Sequence, residues 1–198
     1  MSHEIESAAR ERVLIVAEEL FSERGYDSVT LRDIAQSLGI RQASLYHHFP
    51  GGKEQLFVEV TERGLARHHA EMERRLAEHA GDLRAQLVSA GRWLLSQPPI
   101  DIPRMVRSDM PAISEEHARL LSRAALESLV VPLERAFREA RERGEVEFAR
   151  VPLWERLLAG SFLAIVDNAR VAEHFGRMPA QLMVESMIDV ILNGLRPR

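Results

Sequence analysis

Apolar residues recur at three- and four-residue spacing along nearly the whole chain, and no stretch of useful length alternates with the period of two that a strand needs. This periodicity predicts an all-α protein. Across 7–24, Val13, Leu14, Ala17, Leu20 and Phe21 form one stripe, and Glu11, Arg12, Glu18, Glu19 and Glu23 fill the other face. Gly25 follows where a left-handed C-cap is common. Thr30 offers an N-cap oxygen to a second helix that turns Leu31, Ile34, Ala35 and Leu38 inward. Asp33 serves there as a short capping-box partner, and Gly39 stops the helix. A third short helix over about 41–48 ends at the breakers Phe49-Pro50-Gly51-Gly52. Further helices are expected near 53–80, 82–97, 104–109, 114–143, 152–173 and 179–195, with a loop over 98–103. Pro132 predicts a kink, and Pro152 and Pro179 suit first helical turns.

Composition narrows the function classes. With 198 residues, 45% apolar and 28% charged, the chain has room for one domain, or for a small one joined to a larger one. The absence of cysteine excludes disulfides, thiolate metal sites and cysteine nucleophiles, and fits a reducing cytoplasm. The charged N-terminal stretch does not read as a signal peptide, and no apolar run approaches the roughly 18 residues of a membrane span. A cytoplasmic protein without a membrane partner is expected. Net charge is −4, and residues 1–54 carry six basic against nine acidic groups, so the chain as a whole is not a basic nucleic-acid binder. Residues 28–53 differ, with Arg32, Arg41 and Lys53 against Asp33 alone. Any DNA surface is therefore local. Lys53 is the single lysine beside 25 arginines, for which codon bias is the ordinary explanation.

The stretch from Thr30 to Lys53 carries the chemistry. Two short helices around a glycine turn make a helix-turn-helix, which seats the start of its second helix in a major groove. Ile34, Ala35, Leu38, Ile40 and Leu45 can hold the two helices together. Arg41, Gln42, Ser44, Tyr46 and His47 stay outside, where arginine suits guanine, glutamine suits adenine, and the others suit phosphate. Periodicity alone leaves a second reading open, an all-helical binding module whose helix-turn-helix is architectural.

The ordered motif Thr30-Leu31-Arg32-Asp33-Ile34-Ala35, Leu38-Gly39-Ile40, Ser44-Leu45-Tyr46-His47-His48-Phe49 and Gly52-Lys53-Glu54-Gln55-Leu56 resembles the TetR/AcrR family of bacterial transcriptional regulators. The resemblance covers about 8–57. Gly51-Gly52 makes the turn before Lys53 one residue longer than in most members, and Arg41 stands where members vary. The resemblance implies a homodimeric repressor, with a DNA-binding helix-turn-helix domain over 1–52 and an effector-binding and dimerisation domain over 53–198. It implies that Thr30 meets phosphate, that Gln42, Ser44 and Tyr46 enter the groove, and that Tyr46 and His48 also meet backbone. Lys53 then grips phosphate at a helix start, and Phe49 closes the small core. An unknown small-molecule inducer is implied in the larger domain. Candidate pocket residues are Met72, Trp93, Met105, Met110, Phe137 and Phe162, with Asp109, His117 or Asn168 as polar points. Plain core packing is the alternative for each.

The remaining features read plainly. Adjacent histidines such as His68 and His69 point about 100° apart on a helix and cannot share a metal simply. No metal, cofactor or catalytic spacing is expected, and Gly160-Ser161-Phe162 lacks the second glycine of a nucleophile elbow. The helices of 152–195 are apolar on more than one face, which predicts a dimer interface there, with full burial within one copy as the alternative. Gly160 and Ala164 would let a neighbouring helix approach closely.

Overall fold

The structure is a computed structural model that describes residues 2–98, 104–148, 153–176 and 178–195. In chain order its helices are α1 (Ser2–Ser28), α2 (Leu31–Leu38), α3 (Gln42–His48), α4 (Gly52–Glu78), α5 (Leu83–Ser96), α6 (Glu115–Ala125), α7 (Val131–Glu142), α8 (Trp154–Phe175) and α9 (Ala180–Gly194). A π-helical turn (Met105–Asp109) and a 3-10 turn (Met110–Ala112) precede α6, and a second π-helical turn (Leu126–Val130) separates α6 from α7. No strand occurs among the described residues, as the periodicity predicts. Nor is any described helix long and apolar enough to cross a membrane. Packing divides the chain into two compact units, Met1–Gly64 with Ile100–Ala124, and Leu65–Pro99 with Ala125–Arg198.

The first unit closes around Val13, Leu14, Ala17, Leu20 and Phe21 of α1, Leu31, Ile34 and Ala35 of α2, Leu45 of α3, Phe49, and Leu56 and Phe57 of α4, all buried. Each large side chain of this kind contributes about 1.5–3 kcal/mol on burial. Phe49 is fully buried, under the Arg10 guanidinium at 4.7 Å from its ring centre. The first helix exceeds the expected 7–24 at both ends, because the glutamates, alanines and arginines ahead of its apolar stripe are strong helix formers. Gly25 does not take the expected left-handed helical cap. Its φ of 77° and ψ of 170° lie in a region open essentially to glycine alone, and one more turn follows to Ser28.

The turn between α2 and α3 is a Schellman motif, since Gly39 N–H donates to the Gln36 carbonyl and Ile40 N–H to the Ala35 carbonyl. The expectation that Ile40 joins the two helices is not met. Its side chain is 39% exposed, because this residue's backbone, rather than its side chain, closes the turn.

In the second unit α7 packs on α8, and α9 packs on α5 and α8. Met72, Leu83, Leu87, Leu129, Leu133, Phe137, Phe162, Val184 and Ile188 fill its core. Gly91 permits the close approach of α9, for a Cβ there would lie 3.0 Å from Val184 Cγ1. The irregularity expected at Pro132 takes the form of the π-helical turn, in which Val131 N–H reaches back five residues to the Leu126 carbonyl. Proline cannot donate the next ladder bond, and a wide turn accommodates its ring. Pro179 caps α9 from one position outside it. Pro152 and residues 99–103 of the expected loop lie outside the described residues.

Candidate nucleic-acid interface

The outward face of α3 is polar and solvent-exposed. Arg41, Gln42, Ser44 and His47 are exposed, Tyr46 is 49% exposed and His48 is half-buried. Leu45 alone of this helix is fully buried and anchors it. Arg41 sits at the N-cap position without a side-chain cap bond. A short helix held by one apolar anchor and a Schellman turn thus presents donors and acceptors of the kind that base edges and phosphates recognise.

The flanking residues are organised by local electrostatics. Thr30 caps α2 in a full capping box. Its Oγ1 accepts the Asp33 N–H at 3.2 Å, and Asp33 Oδ2 accepts from the Thr30 N–H at 2.8 Å and hydroxyl at 2.6 Å. The Thr30 hydrogen bonds hold the Asp33 carboxyl below its ordinary range. Thr30 therefore has to re-aim its hydroxyl proton to meet a phosphate. Lys53, in the first turn of α4, is half-buried with Nζ 4.0 Å above the centre of the Tyr26 ring. Burial pulls its ammonium pKa down, and Asp27 opposes that shift.

Glu54, the next residue, would repel a phosphate if it faced one. It is engaged elsewhere: Oε1 meets His117 Nδ1 at 2.6 Å and accepts the Ser114 N–H at 2.9 Å. Hydrogen bonds from His117 and then Ser114 lower its pKa from 4.5 to about 2.

The residues proposed from sequence as a ligand pocket fall in both units. Met105, Asp109, Met110 and His117 belong to the first, and Met72, Trp93, Phe137, Phe162 and Asn168 to the second. Asp109 is 4% exposed and accepts the Tyr26 N–H at 2.8 Å, while His117 bonds Glu54. Asn168 is exposed on α8 and donates to the Ala164 carbonyl at 2.8 Å. Met72, Phe137 and Phe162 are core residues of the second unit. Trp93 is half-buried, and its indole N–H donates to Nδ1 of the buried His68 at 3.3 Å. Burial pushes His68 down to about 4, which leaves a neutral imidazole at neutral pH. No group of three or more metal-ligating side chains occurs among the described residues.

Three features escaped the sequence reading: the Lys53–Tyr26 contact, the Glu54–His117 pair, and the clamp of Arg104 and Asp109 on the end of α1. They join residues 27 to 83 positions apart, and no local period marks such pairs.

Residues 13–60, which span α1 to the first part of α4, match the family described as bacterial regulatory proteins, tetR family. The chain is 47% identical over 52 residues to the HTH-type transcriptional regulator LmrA of Bacillus subtilis (strain 168), covering 26% of this chain and 28% of LmrA. It is 33% identical over 128 residues to the HTH-type transcriptional repressor AcnR of Corynebacterium diphtheriae, covering 62% and 64% of the two. The match spans less than two thirds of either relative. Likeness of fold reaches further. The TetR family transcriptional regulator PfmR from Thermus thermophilus aligns with a TM-score of 0.65 at 28% identity, covering 94% of this chain and 100% of PfmR. None of these three is named as an enzyme. Residues 13–60 thus carry the motif of the tetR family of bacterial regulatory proteins, and the fold of the whole chain is similar to that of a TetR family transcriptional regulator.

Proposed function

We propose that this chain is a homodimeric, cytoplasmic transcriptional repressor that grips a palindromic operator and releases it when a small, largely apolar ligand binds. The observation that carries the DNA half is the exposed row Arg41, Gln42, Ser44 and Tyr46 on a helix-turn-helix closed by a complete capping box and a Schellman turn. Gln42, Ser44 and Tyr46 enter the groove, with Arg41 and His47 at its edges. Thr30, His48 and Lys53 meet phosphate. AcnR is named a repressor, which favours repression as the default action.

The dimer reading rests on α8. Leu157, Gly160, Ala164, Asn168, Val171 and Phe175 follow one another at three- and four-residue spacing, and every one is exposed. Phe175 is 89% exposed and Leu157 57%, a largely apolar strip, interrupted by Asn168, of the kind that marks a protein–protein interface. Nothing within 4 Å would meet a Cβ at Gly160, so a second helix has room to approach there. The ligand reading rests on the methionine and aromatic content of the second unit at Met72, Trp93, Phe137 and Phe162, with neutral His68 as a polar point. Asp109, His117 and Asn168, proposed from sequence as polar points, are engaged by the other partners described above.

Selecting DNA from a random pool tests the function. An inverted repeat is expected, with half-sites about 34–36 Å apart or a multiple of that spacing. Asymmetric sites, or none, would overturn the reading in favour of an architectural helix-turn-helix. Affinity of a candidate ligand with and without operator tests release. Linkage requires a loss of about 5- to 150-fold in each direction, and equal affinities refute it.

A further inference from the structure

We propose that Tyr26 is a positioning residue for Lys53, and that Asp109 sets Tyr26 from outside the helix-turn-helix. This rests on the reading of Lys53 as a phosphate contact. All the residues concerned lie in the first unit.

A lysine side chain is long and flexible, and a contact made by an unrestrained ammonium gives up its rotamer freedom when DNA arrives. Here the ammonium already rests on the negative face of an aromatic ring, 4.0 Å from its centre. One face of the ammonium is taken by the ring, and the residue as a whole is only half-buried. The platform itself is rigid. Tyr26 is 9% exposed, with Phe57 at 4.9 Å and Phe21 at 6.2 Å between ring centres.

The backbone beneath the ring is pinned as well. Tyr26 N–H donates to Asp109 Oδ1 at 2.8 Å, and Arg104 donates to the Ser22 carbonyl at 2.9 Å and the Phe21 carbonyl at 3.3 Å. Arg104 also pairs with Asp109 at 3.5 Å. Gly25 makes the fit feasible, since a Cβ would lie 3.2 Å from both Arg104 Cδ and Asp109 Oδ1. The clamp satisfies backbone groups that the break in α1 would otherwise leave unpaired, and so decides where the ring stands.

The competing account is that Tyr26 only fills the core. Tyr26→Leu keeps apolar bulk without the ring, and Tyr26→Phe keeps the ring. Tyr26→Leu is expected to weaken operator binding about threefold to tenfold, the range of a cation–π contact, while Tyr26→Phe binds like the native chain. The Tyr26→Leu effect should vanish in a Lys53→Ala background, where there is no ammonium to place. An equal effect in both backgrounds overturns the proposal, as does native binding by Tyr26→Leu when Lys53→Ala binds weakly. If Lys53→Ala itself binds like the native chain, the phosphate reading of Lys53 fails instead.

A second measurement does not depend on the folding of a variant. Because Lys53 is the only lysine, isotope-labelled lysine gives one set of side-chain signals. Its ε-methylene protons should resonate upfield through the ring current of Tyr26 in the native protein. Signals at the position of a free lysine overturn the proposal. Asp109→Ala, which removes the acceptor of the Tyr26 N–H, should move those signals part of the way towards that position, and unchanged signals there refute the role of Asp109.

Discussion

The outward faces of α3 and α8 are both exposed rows on amphipathic helices, and they differ in what they leave unsatisfied. The α3 row is polar, with Arg41, Gln42, Ser44 and Tyr46, so water serves it well, and its information lies in the pattern of donors and acceptors. The α8 row is apolar or small, with Leu157, Gly160, Ala164, Val171 and Phe175, and only Asn168 interrupts it. Water serves that row poorly. Exposure on α3 is thus compatible with a free surface that a partner reads, whereas exposure on α8 asks for a partner to exclude solvent. A base edge or phosphate suits the first, and a second copy of the same apolar row suits the second.

The largest expected effect breaks the α8 side of this contrast. Leu157→Arg places a charge at the N-terminal end of the apolar row, and a two-fold interface carries each substitution twice. Dimerisation should weaken on the order of 100-fold or more, read by sedimentation at micromolar concentration, with operator binding lost alongside. A native chain that sediments as a monomer ends the dimer reading outright.

Next in size is Gln42→Ala on α3, expected to relax preference at one base position by about 1–3 kcal/mol and to leave the other positions unchanged. Repeating the random-pool selection with the variant reads this directly. Lys53→Ala sharpens the distinction within the first unit: affinity should fall similarly on every sequence, and the salt slope should drop by about one. A change of base preference with Lys53→Ala, or none with Gln42→Ala, reverses the assigned roles.

The smallest effect concerns Glu54. Its carboxyl is lowered from 4.5 to about 2 by His117 and Ser114, so the contact stabilises the fold above pH 4.5 and loses that contribution as pH falls towards 2. Glu54→Gln should therefore be less stable than the native chain at neutral pH, by only about 0–1 kcal/mol for so exposed a pair. The two unfolding curves should converge with acidification. A gap that stays constant from pH 6 to pH 2 contradicts this account.

The helical class, the capping box at Thr30, the turn at Gly39 and the outward row of α3 are all legible in the residues alone, because each depends on neighbours within one or two helical turns. Caps, glycine turns and the 3.6-residue period are local physics, and local physics is written in consecutive residues. The irregularity at Pro132 is legible for the same reason, though the choice of a π-helical turn is not. Packing of the whole chain was needed to put Gly25 in an extended positive-φ conformation, since its neighbours Arg104 and Asp109 arrive from some 80 residues away. The same holds for Asp109, which polarity suggested for a pocket and packing assigned to the Tyr26 N–H, and for Lys53, whose ammonium rests on a ring 27 positions earlier. Long-range pairs of this kind follow from which surfaces the helices bury together, a property of the whole chain that no window of a few residues contains.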